Sequence, residues 1–395
     1  MKLLALLLLL LASLGANATT AGVGALYVLC NPADTSIQTG CQYAMTLPVN
    51  TGMRLNIPWQ YLETADGTYN WIAVMNGGNQ SVDTYLYNAY VAGEKIEVAL
   101  LAGTNTPSWV GGVRLTCGSD LVNMPVPWDA TYLSKYNAAI NTLATHLTVV
   151  KNPGGGTVNV APLVRIVELA GINNATAEMY LQPGTVVPCT GGSTQSVNQV
   201  WQAAGFTPAN VKSAVNSLLA NYITAFPIGT FTGGVTFSFD VITPNAFPSI
   251  DDNGQIYTAP PGRMDDLTRQ VIAATLTNAS YSTVQFAVQW NALSNVAPAL
   301  QPGVALYVGA NNYHNVIMGW QMNQRGGASG SWCNYSGTFR ACDGTLTGTA
   351  DGDFELAIDN GMALGAKYLE PWGMNADQVA RVIANIQAKQ MPVPQ

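Results

Sequence analysis

Charge is the scarcest property of this chain. Its 395 residues carry only 15 basic and 22 acidic side chains, about a third of the usual charged fraction. No Lys/Arg cluster is present, and the net charge of −7 argues against a nucleic-acid partner, which needs a basic face. Histidine is almost missing: His146 and His314 lie far apart, and no cysteine pair has C-x-x-C spacing, so nothing forms a zinc motif. No G-x-G-x-x-G follows the first apolar run, which removes the dinucleotide fingerprint. Beyond the N-terminus no apolar stretch reaches about 18 residues, so no transmembrane helix is expected. Neither a metal nor a cofactor is expected from this inventory.

What the chain has in plenty is apolar and neutral-polar surface, with 48% hydrophobic residues. Lys2, the apolar run Leu3–Leu14 and Ala16-Asn17-Ala18 read as a secretory signal cut after Ala18, which predicts a secreted or periplasmic protein. Six cysteines follow it, an even number that suits disulfides in an exported chain. Cys30 with Cys41 and Cys333 with Cys342 would each close a short loop, leaving Cys117 with Cys189. Six cysteines nevertheless allow 15 pairings.

Eight short runs rich in Val, Ile and Phe read as strands: 24–30, 52–59, 95–103, 164–171, 234–242, 284–290, 315–322 and 366–372. Helical patterns lie between many of them, at 81–93, 129–147, 207–226, 264–278 and 354–365, with another at 375–389. Asp129, Thr207 and Asn375 stand as N-caps. The crossovers after the first and sixth strands, and "KNPGGGTVN" (151–159), read as loops. Strands alternating with helices pair in parallel, and eight of them predict a (β/α)₈ barrel, a TIM barrel, as one domain over 19–395 with disulfide-tied loops. An open doubly wound sheet is the rival.

In such a barrel chemistry sits at the C-terminal strand ends. Those ends carry Trp59 and Glu63, then Asn105 and Trp109, then Asn173, Asn174 and Glu178. Later ones carry Asp240 and Asn245, then Gln289, Trp290 and Asn291, then Trp320, Gln321, Asn323 and Gln324, and last Glu370 and Trp372. Indole faces pack on the apolar faces of sugar rings, and amides bond the ring hydroxyls. This set predicts a carbohydrate cleft. Large aromatics plugging the barrel mouth are the structural alternative.

Three segments carry a resemblance: "MRLNIPWQYLETADGTYNW" (53–71), "VALLAGTNTPSWV" (98–110) and "PVPWDATYLSKYNAAINTLATHL" (125–147). They resemble the second strand, third strand and following helix of the large retaining clan of (β/α)₈ glycoside hydrolases, β-galactosidase-like and cellulase-like. The resemblance implies a carbohydrate substrate, with an acid/base after the fourth strand, usually Asn-Glu, and a nucleophilic Glu ending the seventh. Here Asn173-Asn174 stands at the first position, and Glu178 is the nearest acid downstream. Glu168 competes, though inside the barrel it would pair with Arg54 or Arg165. The seventh strand offers Gln321 or Gln324, and an amide cannot act as a nucleophile. Glu370 on the eighth strand is therefore assigned that role, with Asp240 second and a salt bridge to Lys367 or Arg54 as the structural alternative. Two functions follow: a secreted retaining glycosidase, or a sugar-binding barrel that has lost its nucleophile. Oligomeric state is not legible.

Overall fold

The computed structural model describes residues 26–33, 41–42, 51–75, 78–118, 123–174, 179–181, 186–232, 234–241, 247–257, 265–293, 316–322, 360–361 and 366–370. Eight strands close into a barrel: β1 (Leu26–Cys30), β2 (Thr51–Pro58), β3 (Lys95–Leu101), β4 (Val164–Glu168), β5 (Thr236–Val241), β6 (Gln285–Leu293), β7 (Val316–Met322) and β8 (Tyr368–Glu370). Each pairs in parallel with its neighbours in chain order, and β8 closes on β1 at Leu369–Leu26. The expected barrel is observed and the open sheet is not.

The helices between strands are α1 (Val82–Ala92), α2 (Ala130–His146), α3 (Val197–Ala203), α4 (Pro208–Ala225) and α5 (Asp265–Leu276). Asp129 and Thr207 cap α2 and α4 as expected, accepting from Tyr132 N and Asn210 N. The short α3, with a Ser196/Gln199 capping box, was not expected from periodicity. Its apolar stripe is only two turns long. The stretch 151–159 is no simple loop: Val150–Lys151 and Thr157–Val158 pair as a small hairpin. The helical patterns at 354–365, apart from Asn360 and Gly361, and at 375–389 lie outside the described residues, as does the signal segment. No helix among the described residues is long and apolar enough to cross a membrane.

Period-2 alternation divides each barrel strand between two environments. One face, including Met53, Leu55 and Ile57 of β2 and Phe237, Phe239 and Val241 of β5, joins the large core between barrel and helices. The other face fills the barrel. Tyr27, Ile166, Ala287 and Tyr368 form one apolar layer there. Tyr368 packs edge-on against Tyr27 and its hydroxyl shares a hydrogen bond with Ser238. Gly319 makes room for that ring, since a Cβ there would sit 2.1 Å from Tyr368 Cζ.

Cys30–Cys41 and Cys117–Cys189 are disulfides, the pairing expected for those four. The second ties the loop after β3 to the one after β4 across 72 residues, with Thr190 N donating to the Thr116 carbonyl beside it. Cys333 and Cys342 lie outside the described residues.

Candidate active site

Toward the C-terminal ends of the strands the barrel filling changes from apolar to polar. A TIM barrel ordinarily fills this space with branched apolar side chains. Here Arg54 from β2, Glu97 from β3, Glu168 from β4, Asp240 from β5, Gln289 from β6 and Glu370 from β8 are all buried. They share one interior because each keeps phase with its strand: Arg54 pairs in register with Glu97, Asp240 with Gln289, and Gln321 with Glu370.

Arg54 organises the group. Its Nη2 donates to Glu168 Oε2 at 3.2 Å and to Asp240 Oδ2 at 3.1 Å, and its Nη1 donates to Glu370 Oε2. Its Nε donates to Asn56 Oδ1 at 3.1 Å, so the fork is oriented from its own strand. The expectation that Glu168 pairs with Arg54 is met, and the Arg54–Glu370 bridge weighed for Glu370 is present too. Gln289 Nε2 donates to the same Glu370 Oε2 at 2.7 Å. Glu370 therefore has one oxygen held by two donors, while among the described residues its Oε1 accepts nothing.

Glu97 is the residue that sequence reasoning missed. It is fully buried and faces the Glu168 carboxyl. Burial, above all, pushes its carboxyl above the ordinary range. The Glu168 contact and Arg54 pull it down, and the Asp240 charge pushes it up again. Oxygens of Glu97, Glu168 and Glu370 lie within 4.8 Å of one another. A signal existed: one acid alone within "KIEVALL", in phase with Ala99 and Leu101, which pack together as a pair.

Trp59 and Trp320 are buried and offer no open face. Trp59 opens a one-turn helix after β2 and is fully buried, its ring against Trp109, Tyr132 and Tyr136. Its indole N–H donates to Glu63 Oε2 at 2.7 Å. With its ring covered by aromatic neighbours, it packs the fold and offers no stacking surface to a sugar. Trp59→Phe should leave sugar affinity unchanged and destabilise the chain by about 1–3 kcal/mol, because it strips a buried donor from Glu63. Denaturant unfolding beside a sugar-binding titration checks both halves. Trp320 is likewise buried and belongs to the core outside the barrel, because it follows the inward Gly319 by one residue. Trp109 is half-buried, with its indole N–H on the Glu63 carbonyl and Lys135 Nζ 5.9 Å from its ring centre.

The amides stand at the ends of β3, β4 and β7. Asn105 accepts from Gln60 Nε2 at 3.3 Å. Asn173 is buried and its Oδ1 accepts from Gly171 N at 2.9 Å, which folds the chain back at the β4 end. Asn174 is held through its carbonyl by Thr104 N. Gly103, with φ +60°, lies against that carbonyl, and a Cβ would stand 1.8 Å from it. Gln321 is buried on β7 beside Glu370. Glu178, Asn245, Asn323, Gln324 and Trp372 lie outside the described residues, and of Trp290 and Asn291 only the strand backbone is described.

No family model matches the chain, and no curated protein matches it in sequence. Among solved structures, the catalytic domain of β-amylase from Paenibacillus polymyxa is similar over 94% of this chain and 99% of that one, at 10% identity and TM-score 0.50. An endo-β-1,4-xylanase from Gloeophyllum trabeum covers 90% and 86% at 13% identity and TM-score 0.45. The Bacillus subtilis mannanase BCman covers 91% and 85% at 14% identity and TM-score 0.44. At such identities likeness speaks to fold alone: the chain is a closed (β/α)₈ barrel.

Proposed function

We propose that the protein is a secreted glycoside hydrolase acting on a polysaccharide or oligosaccharide, with retention of anomeric configuration. The observation that carries this reading is the state of Glu370. One oxygen is fixed by Arg54 and Gln289, and the other accepts no hydrogen bond among the described residues. That arrangement suits a nucleophilic carboxylate: two donors on one oxygen aim the group, and its other oxygen attacks the anomeric carbon. Amides at neighbouring strand ends, Asn105, Asn174 and Gln321, suit sugar hydroxyls. The fold and two disulfides accord with an exported carbohydrate-active barrel.

Glu178 is assigned the proton donation to the leaving oxygen. Glu178→Gln should preserve sugar affinity and lower turnover by about 10²–10⁴-fold on natural glycosides. A nitrophenyl glycoside, whose leaving group needs no proton, should recover its first step. Loss on both substrates alike would remove Glu178 from that role.

A second reading is favoured by one observation. Gln321 stands in register with Glu370, an amide at the end of β7. In that reading the barrel binds sugar without cleaving it. Reducing-sugar release and binding on one glycan panel separate the two, and binding without release selects the second.

A further inference from the structure

The buried acids are out of balance with their counter-charge. Among the described residues, Glu97, Glu168, Asp240 and Glu370 are four carboxyl groups buried around one guanidinium, Arg54. Ionised, they carry three more charges than that guanidinium matches, and burying charge without a counter-charge is costly. Three of them place one oxygen each within 4.8 Å of the others. Two oxygens bound to one cation at about 2.4 Å can be no farther apart than roughly 4.8 Å, so this spacing fits a shared ion.

A separate observation points to a ligand. Gln289 is not an acid, is fully buried, and lies against the group through its Nε2 bond to Glu370. Its Oε1 nevertheless accepts no hydrogen bond among the described residues. The same holds for Glu370 Oε1. Buried amide and carboxylate oxygens are costly without a donor or a cation.

We infer that Glu97, Glu168 and Glu370, supplemented by the Gln289 amide oxygen, bind one hard divalent cation inside the barrel. Oxygen-only ligands select ions of the Mg²⁺, Mn²⁺ and Ca²⁺ kind over zinc. Barrel closure assembles the site, since its ligands come from β3, β4, β6 and β8. This explains how a chain without histidine spacing or a linear metal motif can bind one. The inference does not rest on the glycosidase reading, but it bears on it. Binding engages Glu370 Oε1, the oxygen assigned to attack, so the ion inhibits hydrolysis.

The test uses the full mature chain after chelator treatment, titrated with Mn²⁺ by calorimetry and electron paramagnetic resonance. One ion per chain should bind, raising Tm by a few degrees at saturating Mn²⁺. Glu97→Gln and Glu168→Gln should each weaken binding by about 100-fold or more, at or beyond the range for losing a ligand's supporting partner. No Mn²⁺ binding by the wild type, or binding that both variants keep, overturns the site. If the variants fail to fold, the wild-type Tm with and without Mn²⁺, Mg²⁺ and Ca²⁺ decides alone: no shift with any of them refutes the inference. Turnover assayed in parallel should fall with Mn²⁺ and recover with chelator. Activation by a stoichiometrically bound ion would uphold the site and remove Glu370 as nucleophile, so the two readings fail separately.

Discussion

Arg54→Met should destabilise the chain by more than about 5 kcal/mol, enough to unfold many domains outright. Breaking one buried ion pair from one side costs about 3–5 kcal/mol, because the abandoned charge has no water to return to. Arg54 serves three partners at once: Glu168, Asp240 and Glu370. Methionine matches the length of the stem but supplies none of the donors. Glu370→Gln in the Arg54→Met background should therefore recover part of the loss. The double variant should be less destabilised than the two single effects added together, since one of the stranded charges is gone. Chemical denaturation of the three variants and the wild type forms the cycle. Additive effects would mean that the guanidinium and the carboxylate act independently, and the polar centre described above would not exist.

Glu370→Gln alone carries the second large effect. If Glu370 forms the covalent intermediate, its amide should lower turnover by at least about 10⁴-fold on every substrate, whatever the leaving group. The side chain keeps its shape, and Gln289 and Arg54 stay in place, so sugar affinity should change little. That pattern separates it from Glu178→Gln, which an activated leaving group rescues. With azide, a Glu370→Gly variant should form the inverted glycosyl azide, because the small nucleophile enters where the carboxylate stood. Turnover retained in Glu370→Gln would move the nucleophile to Asp240, already beside Arg54 at 3.1 Å.

Much of this barrel was legible in the sequence, for a local reason. Strand identity depends on short apolar runs, and helix starts depend on a capping side chain one turn ahead, as at Asp129 and Thr207. The Arg54–Glu168 pair was legible too, since a charged residue in a buried strand needs a partner and this chain has few. What escaped depends on phase and closure. Trp320 and Gln321 are adjacent, yet one faces the helices and the other the barrel, and only knowledge of which face points inward separates them. Trp59 resembled a sugar platform. It is covered because Tyr132 and Tyr136, more than 70 residues later, pack across it from α2. Glu97 was overlooked as one acid among apolar neighbours. Its meaning arises only when closure of eight strands sets it against Glu168 and Glu370. The expectation of no metal ligands rested on linear spacing, and linear spacing cannot register acids such as Glu97, Glu168 and Glu370 that barrel closure gathers from separate strands.

Glu370 is proposed to cleave glycosides through a covalent intermediate. The most direct measurement is covalent trapping. The protein is incubated with a panel of 2-deoxy-2-fluoro glycosides bearing a good leaving group; the fluorine slows both steps, and the leaving group restores the first. Intact mass is followed by peptide mapping. The expected result is an adduct of one fluoroglycosyl unit, carried by the peptide that contains Glu370 and absent from Glu370→Gln. An adduct on any other carboxylate, or steady glycoside hydrolysis with inversion and no adduct, would contradict it.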